Sequence, residues 1–268
     1  MGAIDESPDM EVFEWCPGAL IRGGPQREST GLALIVLNQP FEDNLAAIRQ
    51  LWNNASVRIA ADGGANRLYD AAGKHGDPSL DALCVIIGDL DSLRPETRAY
   101  YESRRTRVIQ DPDQYSTDFG KAVHHIRQTH SGRPVDMLAI GGLGGRVDQG
   151  LSQIHHLYLL QPGPRYADGR LYLYSAESLT FLLKPGRHRI RVRGDDGGED
   201  VFGKHVGILP VGRPCRITTR GLEWDVTDWE TGFGGNVSTS NHVRPETRVV
   251  EVETTEDVVF TIALRGAA

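Results

Sequence analysis

"CVIIGDLDSL" (Cys84 to Leu93) is an apolar, β-branched run that stops at a glycine and is followed by two aspartates one residue apart. Its first half reads as a short buried strand. Two carboxylates ~5 Å apart at an effective dielectric of ~20 repel by about 3 kcal/mol, so their place at a strand end asks for a compensating charge. Further runs that read as buried strands are "LALIVLN" (Leu32 to Asn38), "VRIAAD" (Val57 to Asp62), "TRVIQD" (Thr106 to Asp111) and "DMLAIGG" (Asp136 to Gly142). Helical patterns separate these runs: "NLAAIRQLWNN", "ANRLYDAAGKHG", "RPETRAYYESRR", "TDFGKAVHHIRQTH" and "VDQGLSQIHHLYLL". Strand alternating with helix predicts an α/β unit, a mostly parallel sheet with helices on both faces. In such a sheet the strand ends gather along one ligand-binding edge. Asp62, the Asp89/Asp91 pair, Asp111 with Asp113, and the glycines at 141, 142, 144 and 145 are all expected on that rim.

Near "QPGPRYADG" (Gln161 to Gly169) the texture changes. The later runs, from "RLYLYS" to "RVVEVETTEDVVFTIAL", alternate polar and apolar residues between turns, which predicts an antiparallel β-sandwich. The expected division is an N-terminal extension, partly loose, over 1–30, an α/β domain over 31–162 and a β-sandwich domain over 163–268. "GDDGGED" (Gly194 to Asp200) is expected to be a solvated loop without chemistry.

The chain of 268 residues is long enough to bury a sizeable core, and its net charge of −7 argues against a nucleic-acid or anionic-membrane partner. Nucleotides remain open, because local amides and metal ions hold them. Cys16, Cys84 and Cys215 lie far apart with no zinc spacing, which suits a reduced compartment. No apolar signal core or membrane-spanning run is visible. A cytoplasmic location is expected.

Each motif has a plain reading beside its chemical one. Asp89 and Asp91 could simply open a turn and cap the next helix. A divalent cation, with Mg²⁺ the natural choice for carboxylates plus phosphates, would instead turn their repulsion into shared attraction. In "DPDQYSTDFGKAVHHI" (Asp111 to Ile126), Asp118 and Lys121 are neighbours on one helical face. They form either a weak surface ion pair or a metal ligand beside a phosphate-facing lysine. His124, His125, His155 and His156 make no metal spacing and are expected to be surface or helix-packing residues. "IGGLGGRVDQ" (Ile140 to Gln149) is neither a P-loop nor a dinucleotide fingerprint, and tight-turn packing is its plain reading. Arg146 and Asp148 beside the glycines tilt it toward nucleotide binding. "ADGGANRLYD" (Ala61 to Asp70) repeats the form of strand, acid, glycines and helix. In "RGLEWDVTDW", alternation places Leu222, Trp224 and Val226 on one face, so Trp224 is by default a core residue. At a sandwich rim it could stack on a planar cation.

Taken in order, "ADGGANRLYD", "GDLDS", "DPDQYSTDFGKA", "GGLGGRVDQ", "GLEW" and "FGGNVSTSN" resemble the thiamin pyrophosphokinase family, from about Leu32 to the C-terminus. The resemblance implies Mg²⁺-dependent transfer of a diphosphate group from ATP to the hydroxyl of thiamin, giving thiamin diphosphate and AMP. It also implies a homodimer with active sites between subunits. Carried over by motif, Asp62, Asp89, Asp91 and Asp118 would hold the metal, with Asp89, Asp91 and Asp118 catalytic. Gly63, Gly64, Asn66, Thr117, Lys121, Gly142, Gly145, Arg146, Asp148 and Gln149 would surround ATP. Gln114, Trp224 and Ser238 would touch thiamin, with Trp224 supplied by the partner subunit. Leu90 replaces a frequent aromatic, and Asn236 a larger apolar residue in the pocket wall. The competing expectations are a metal-dependent nucleotide phosphohydrolase and a non-enzymatic nucleotide-sensing module.

Overall fold

The computed structural model describes residues 11–23, 31–40, 45–75, 78–130, 133–194 and 200–266. The chain divides into two compact units, Ala19–Phe181 and a second that joins the stretch up to Gly18 to Leu182–Gly266. Strand β1 (Val12–Trp15) and helix α1 (Pro17–Arg22) come first. The first unit then runs β2 (Leu32–Val36), α2 (Leu45–Asn54), β3 (Val57–Ala61), α3 (Gly64–His75), β4 (Val85–Gly88), α4 (Pro95–Ser103) and β5 (Arg107–Gln110). It continues through α5 (Asp118–Thr129), β6 (Asp136–Ile140), α6 (Val147–Leu159), β7 (Leu171–Tyr174) and β8 (Ser178–Leu183), whose end crosses the unit boundary.

The strand order is β8-β7-β6-β2-β3-β4-β5. Pairing from β7 through β5 is parallel, and β8 is antiparallel to β7. β2 and β6 are buried along their whole length, which is why they read as unbroken apolar runs rather than alternating ones. The chain moves outward from β2 to β5 and then returns to β6 on the other side of β2. Loops after β2 and β6 therefore leave in opposite directions and open a crevice at the strand ends. The helices bury apolar stripes, such as Ile48, Leu51 and Trp52 of α2 and Phe119, Ala122, Val123 and Ile126 of α5. Asn54, at the end of α2, donates to the carbonyls of Leu20 and Ile21 at 3.2 and 2.8 Å and so ties down the last turn of α1.

In the second unit β9 (Gly186–Arg191), β10 (Phe202–Leu209), β11 (Cys215–Arg220), β12 (Trp229–Thr231), β13 (Ser238–His242), β14 (Val249–Thr254) and β15 (Val258–Leu264) follow. One sheet has the order β1-β9-β14-β11-β12, and β13-β10-β15 pair antiparallel in another. Alternating burial along β9, β11 and β14 turns one face inward, as a two-layer sandwich requires.

Two boundaries differ from the sequence expectation. The α/β unit extends to Phe181 rather than ending at 162, because β7 adds to β6 in parallel and is buried on both faces. The change of texture at 161–169 marks the end of the last helix, not the end of the sheet. Within the expected N-terminal extension, residues 12–22 are ordered structure. β1 pairs in parallel with β9, and Trp15 Nε1 donates to His188 Nδ1 at 2.9 Å. Residues 1–10 and 24–30 of that extension, and 195–199 of "GDDGGED", lie outside the described residues. Among the described residues, no helix is long and apolar enough to cross a membrane.

At the start of α3, a Cβ on Gly64 would fall on the Val36 carbonyl, 2.8 Å from its carbon. Gly73, on the same helix, has no atom within 4 Å of such a Cβ. Gly64→Ala is expected to cost about 1–3 kcal/mol in urea unfolding. Gly73→Ala is expected to gain roughly 0.5–1 kcal/mol. Equal effects would contradict this packing of α3 on β2.

Candidate active site

β3 delivers Asp62, which follows Ala61 with φ 42 in the left-handed region and a side chain only 3 % exposed. Its Oδ2 accepts from the Ser92 N–H at 3.1 Å, and Oδ1 is buried without a donor. β4 delivers Gly88 and then Asp89. A Cβ at Gly88 would come within 2.8 Å of Asp62 Cβ and 2.9 Å of Asp118 Oδ1, so only glycine lets the two acids approach. Leu90 then adopts φ 67, a strained setting for a branched side chain of the kind that collects at functional sites. It turns the chain so that Asp89 Oδ1 accepts from the Asp91 N–H at 3.1 Å, and Ser92 Oγ donates to Asp91 Oδ1 at 2.9 Å.

α5 delivers Asp118 on its first turn, after Thr117 has capped the helix by accepting from Gly120 N at 3.1 Å. Asp118 Oδ1 accepts from the Asp89 N–H and from Lys121 Nζ, both at 3.2 Å. Asp62, Asp89 and Asp118 each offer a carboxylate oxygen within 4.8 Å of the others. Burial, and then the charges of Asp118, Asp91 and Asp89, push the Asp62 carboxyl above its ordinary value despite the opposing Ser92 hydrogen bond. Asp91, expected as a fourth ligand, lies outside this trio and is exposed.

The Lys121 side chain is 2 % exposed, with its ammonium on Asp118. It meets Asp118 rather than open solvent, so the ion pair is not a weak surface pair. His156, expected as a surface or helix-packing residue, is buried between α6 and α5 against Phe119, and its Nε2 lies 2.6 Å from Thr117 Oγ1. Its Nδ1 faces the Ser152 carbonyl. The proton therefore sits on Nδ1, and Nε2 accepts from the Thr117 hydroxyl. Burial lowers the His156 pKa and keeps this neutral form. Only tertiary packing brings residue 156 to the cap of α5, so no sequence spacing signals it.

Around the trio, Asn66 Nδ2 donates to the Ser92 carbonyl at 2.7 Å and its Oδ1 accepts from Arg94 N at 3.1 Å, bracing the acid turn. Gln114 Nε2 reaches Asp89 Oδ2 at 3.4 Å. Asp113 closes its own loop by accepting from Tyr115 N and Ser116 Oγ, which hold its carboxyl below the usual range. At the switch point, Gly141 (φ 69) and Gly145 (φ 65) pack where a Cβ would meet Leu37 O and Gln39 O at 2.8 and 2.9 Å, and Gln39 Oε1 at 2.7 Å. Gly63 precedes α3 and Gly64 opens it, and Gly142 backs onto Leu37 and Gln153. At the start of α6, Arg146 and Asp148 pair at 2.6 Å, and both are exposed, as is Gln149.

In the second unit Trp224 is not a core residue. The segment after β11 leaves the strand, and the Trp224 side chain is 55 % exposed in a turn. Asp225 builds that turn by accepting from Thr219 Oγ1, Gly221 N and Leu222 N. Asn241 fixes Trp224 from β13, accepting from its N–H at 3.1 Å and donating to its carbonyl at 2.9 Å. Ser238 opens β13, and the Asn236 side chain is exposed in the preceding turn.

Comparison with known proteins matches both units. The family described as "Thiamin pyrophosphokinase, catalytic domain" matches residues 48–166, and "Thiamin pyrophosphokinase, vitamin B1 binding domain" matches 187–259. Thiamine pyrophosphokinase 1 of Arabidopsis thaliana is 38% identical over 252 residues, covering 88% of this chain and 87% of that protein. Thiamine pyrophosphokinase 3 of Oryza sativa subsp. japonica is 36% identical over 247 residues, with 87% of each covered. The crystal structure of yeast thiamin pyrophosphokinase superposes with a TM-score of 0.81 at 26% identity, over 97% of this chain and 93% of that one. With more than a third of its residues shared across both units and the same fold beneath them, the chain belongs to the thiamin pyrophosphokinase family.

Proposed function

We propose that this protein, a diphosphotransferase by family, transfers a diphosphate group from ATP to the hydroxyl of thiamin, giving thiamin diphosphate and AMP. The convergence of Asp62, Asp89 and Asp118 at the strand ends, with one buried oxygen lacking a donor, carries this reading. The match of the second unit to a vitamin B1 binding domain supports thiamin as the acceptor.

The donor set fits Mg²⁺. It is all carboxylate oxygen, Asp62 Oδ1 has no donor, and Gly88 keeps the space between Asp62 and Asp118 free of a side chain. Asp62, Asp89 and Asp118 would hold the ion, with Asp91 at the solvent side. When bound, the ion supplies charge neutralisation at the transferring phosphates. The protein's own groups do the positioning. Lys121 holds Asp118 and offsets one negative charge, and Ser92 orients Asp62. The glycine-rich loop after β6 and the start of α6 offer main-chain amides to the nucleotide, beside Gly63, Gly64 and Asn66. Thr117, Arg146, Asp148 and Gln149 flank the same strand-end edge. The thiamin oxygen bonds to the β-phosphorus, the bond from that phosphorus to the bridging oxygen breaks, and AMP leaves. Asp118 takes the hydroxyl proton on Oδ2, since Oδ1 already accepts from Asp89 N and Lys121 Nζ.

A homodimer with active sites between subunits and a cytoplasmic location complete the proposal. Large apolar side chains left exposed support a covering surface: Val147, Leu151 and Leu159 on α6, and Trp224 and Phe233 in the second unit. Gln114, Ser238 and Trp224 of the partner subunit would form the thiamin pocket. The three cysteines are free, which suits a reduced compartment.

Following AMP from ATP and Mg²⁺, with and without thiamin, tests the reaction. Thiamin-dependent AMP with thiamin diphosphate by mass is expected, whereas AMP without thiamin would indicate a hydrolase. Asp118→Asn is expected to lower kcat at saturating Mg²⁺ by at least ~10²-fold, and near-normal turnover would remove it from proton transfer. Asp62→Asn tolerates φ 42, because asparagine enters the left-handed region readily. Its folded carboxyl has a raised pKa, so ionised Asp62 destabilises the metal-free fold at neutral pH. Asp62→Asn should therefore stabilise that form by roughly 1 kcal/mol, the scale of one relieved, partly offset repulsion. The gap should close as the pH falls through the raised value, where the wild type takes up its proton. Urea unfolding from pH 7 to pH 4 in chelator reads this directly, and a gap that widens toward acid would contradict it.

A further inference from the structure

Trp224 is held along its main chain by Asn241, but its exposed indole is met from the side by a second group. The His242 ring lies 5.1 Å from the indole, tilted by 48°. His242 is itself fixed twice. Its Nδ1–H donates to Glu223 Oε2 at 2.6 Å, and the His205 ring of β10 meets it edge-on at 4.8 Å. The Glu223 side chain is 52 % exposed and that of His242 23 %. Glu223 and Trp224 are consecutive in one turn, yet both are tied to β13. One imidazole thus contacts both the Glu223 carboxylate and the Trp224 indole.

We infer that the Glu223–His242 pair is a positioning device for the acceptor site: His242 sets the angle of the Trp224 indole, and Glu223 gives its lip the negative charge that selects a planar cation. This rests on the proposed function, in which Trp224 lines the thiamin pocket. An indole face attracts a planar cation by ~0.5–2 kcal/mol, depending on desolvation, but only if the ring is held open. A free, half-exposed tryptophan would fold back onto apolar surface. The buttress prevents that collapse, so part of the ordering cost of binding is met before the ligand arrives. A carboxylate next to the platform adds attraction for a cation that a neutral isostere does not receive, and salt weakens that share because the carboxylate is exposed.

The test separates charge from shape in the full-length protein. Glu223→Gln keeps an acceptor for His242 Nδ1 and removes the charge. His242→Ala removes the buttress, and His242→Phe restores a ring of similar size. Glu223→Gln is expected to raise the thiamin KM about three- to tenfold, an effect that shrinks between 50 and 500 mM salt, with kcat and the ATP KM within twofold of wild type. His242→Ala is expected to raise the thiamin KM by a similar, salt-independent factor, with most of it recovered in His242→Phe. Thiamin KM within twofold of wild type in both Glu223→Gln and His242→Ala overturns the inference. So does a loss confined to kcat, or an equal rise in both KM values. Direct calorimetric titration of thiamin into the same proteins keeps the inference distinct from the proposed reaction. Tight binding by the wild type that weakens in the variants upholds the pair even if AMP does not form. A wild type that forms thiamin diphosphate while its variants bind thiamin normally overturns the pair alone.

Discussion

One carboxylate oxygen, Asp118 Oδ1, joins three separate parts of the first unit. It accepts from the main chain of Asp89 beyond β4 and from Lys121 one turn along α5, while Gly88 leaves it room beside Asp62. Crowding acids in this way is unfavourable, and the raised carboxyl of Asp62 records it. The fold tolerates the crowding because a buried lysine pairs with Asp118, one of the acids. A buried ammonium without a partner would itself be costly, so Lys121 and the acids stabilise one another. Charge left over after that pairing is negative and points to the strand-end edge, where a cation and phosphates have a reason to bind.

The strand order explains why the edge is available. Six parallel strands would present their ends wherever they were placed, but the return from β5 across to β6 parts the loops beside β2. Glycines with positive φ fill that parting, because a Cβ at Gly141 would strike the carbonyls of Leu37 and Gln39. Two non-glycine residues, Asp62 and Leu90, also take left-handed conformations on this rim. Their strain is maintained by hydrogen bonds from Ser92 and Asp91 that hold the acid turn together. In the second unit the same economy holds on a smaller scale. Asn241 uses one amide to accept from and donate to the Trp224 main chain, and so keeps a large apolar ring in water.

Much of this was legible from residue order. Apolar runs located β2 to β6, and the acids or glycines that follow β3, β4, β5 and β6 located the edge that they share. The resemblance named the family that the comparisons bear out. Three features were not legible, each for a physical reason. The "RLYLYS" run reads as part of the sandwich, because a strand buried on both faces looks the same in a parallel and an antiparallel setting. Alternation leaves Trp224 open between a core position, its default, and an exposed rim position; the turn made by Asp225 breaks the period of two and exposes it. His156 looked inert because its partner, Thr117, is 39 residues away.

By itself the sequence determined the order and type of the elements, the α/β and β-rich halves, and the acids from which a metal site is assembled. Those depend on local propensity and hydrophobic period, which each segment carries within itself. Tertiary structure decided which three of the four acids converge and that Lys121 is buried against Asp118. It also decided that residues 12–15 belong to the sheet of β9, and that Trp224 stands exposed against His242. Those outcomes depend on distances between residues far apart in the chain, which are set only when the strands have chosen their neighbours.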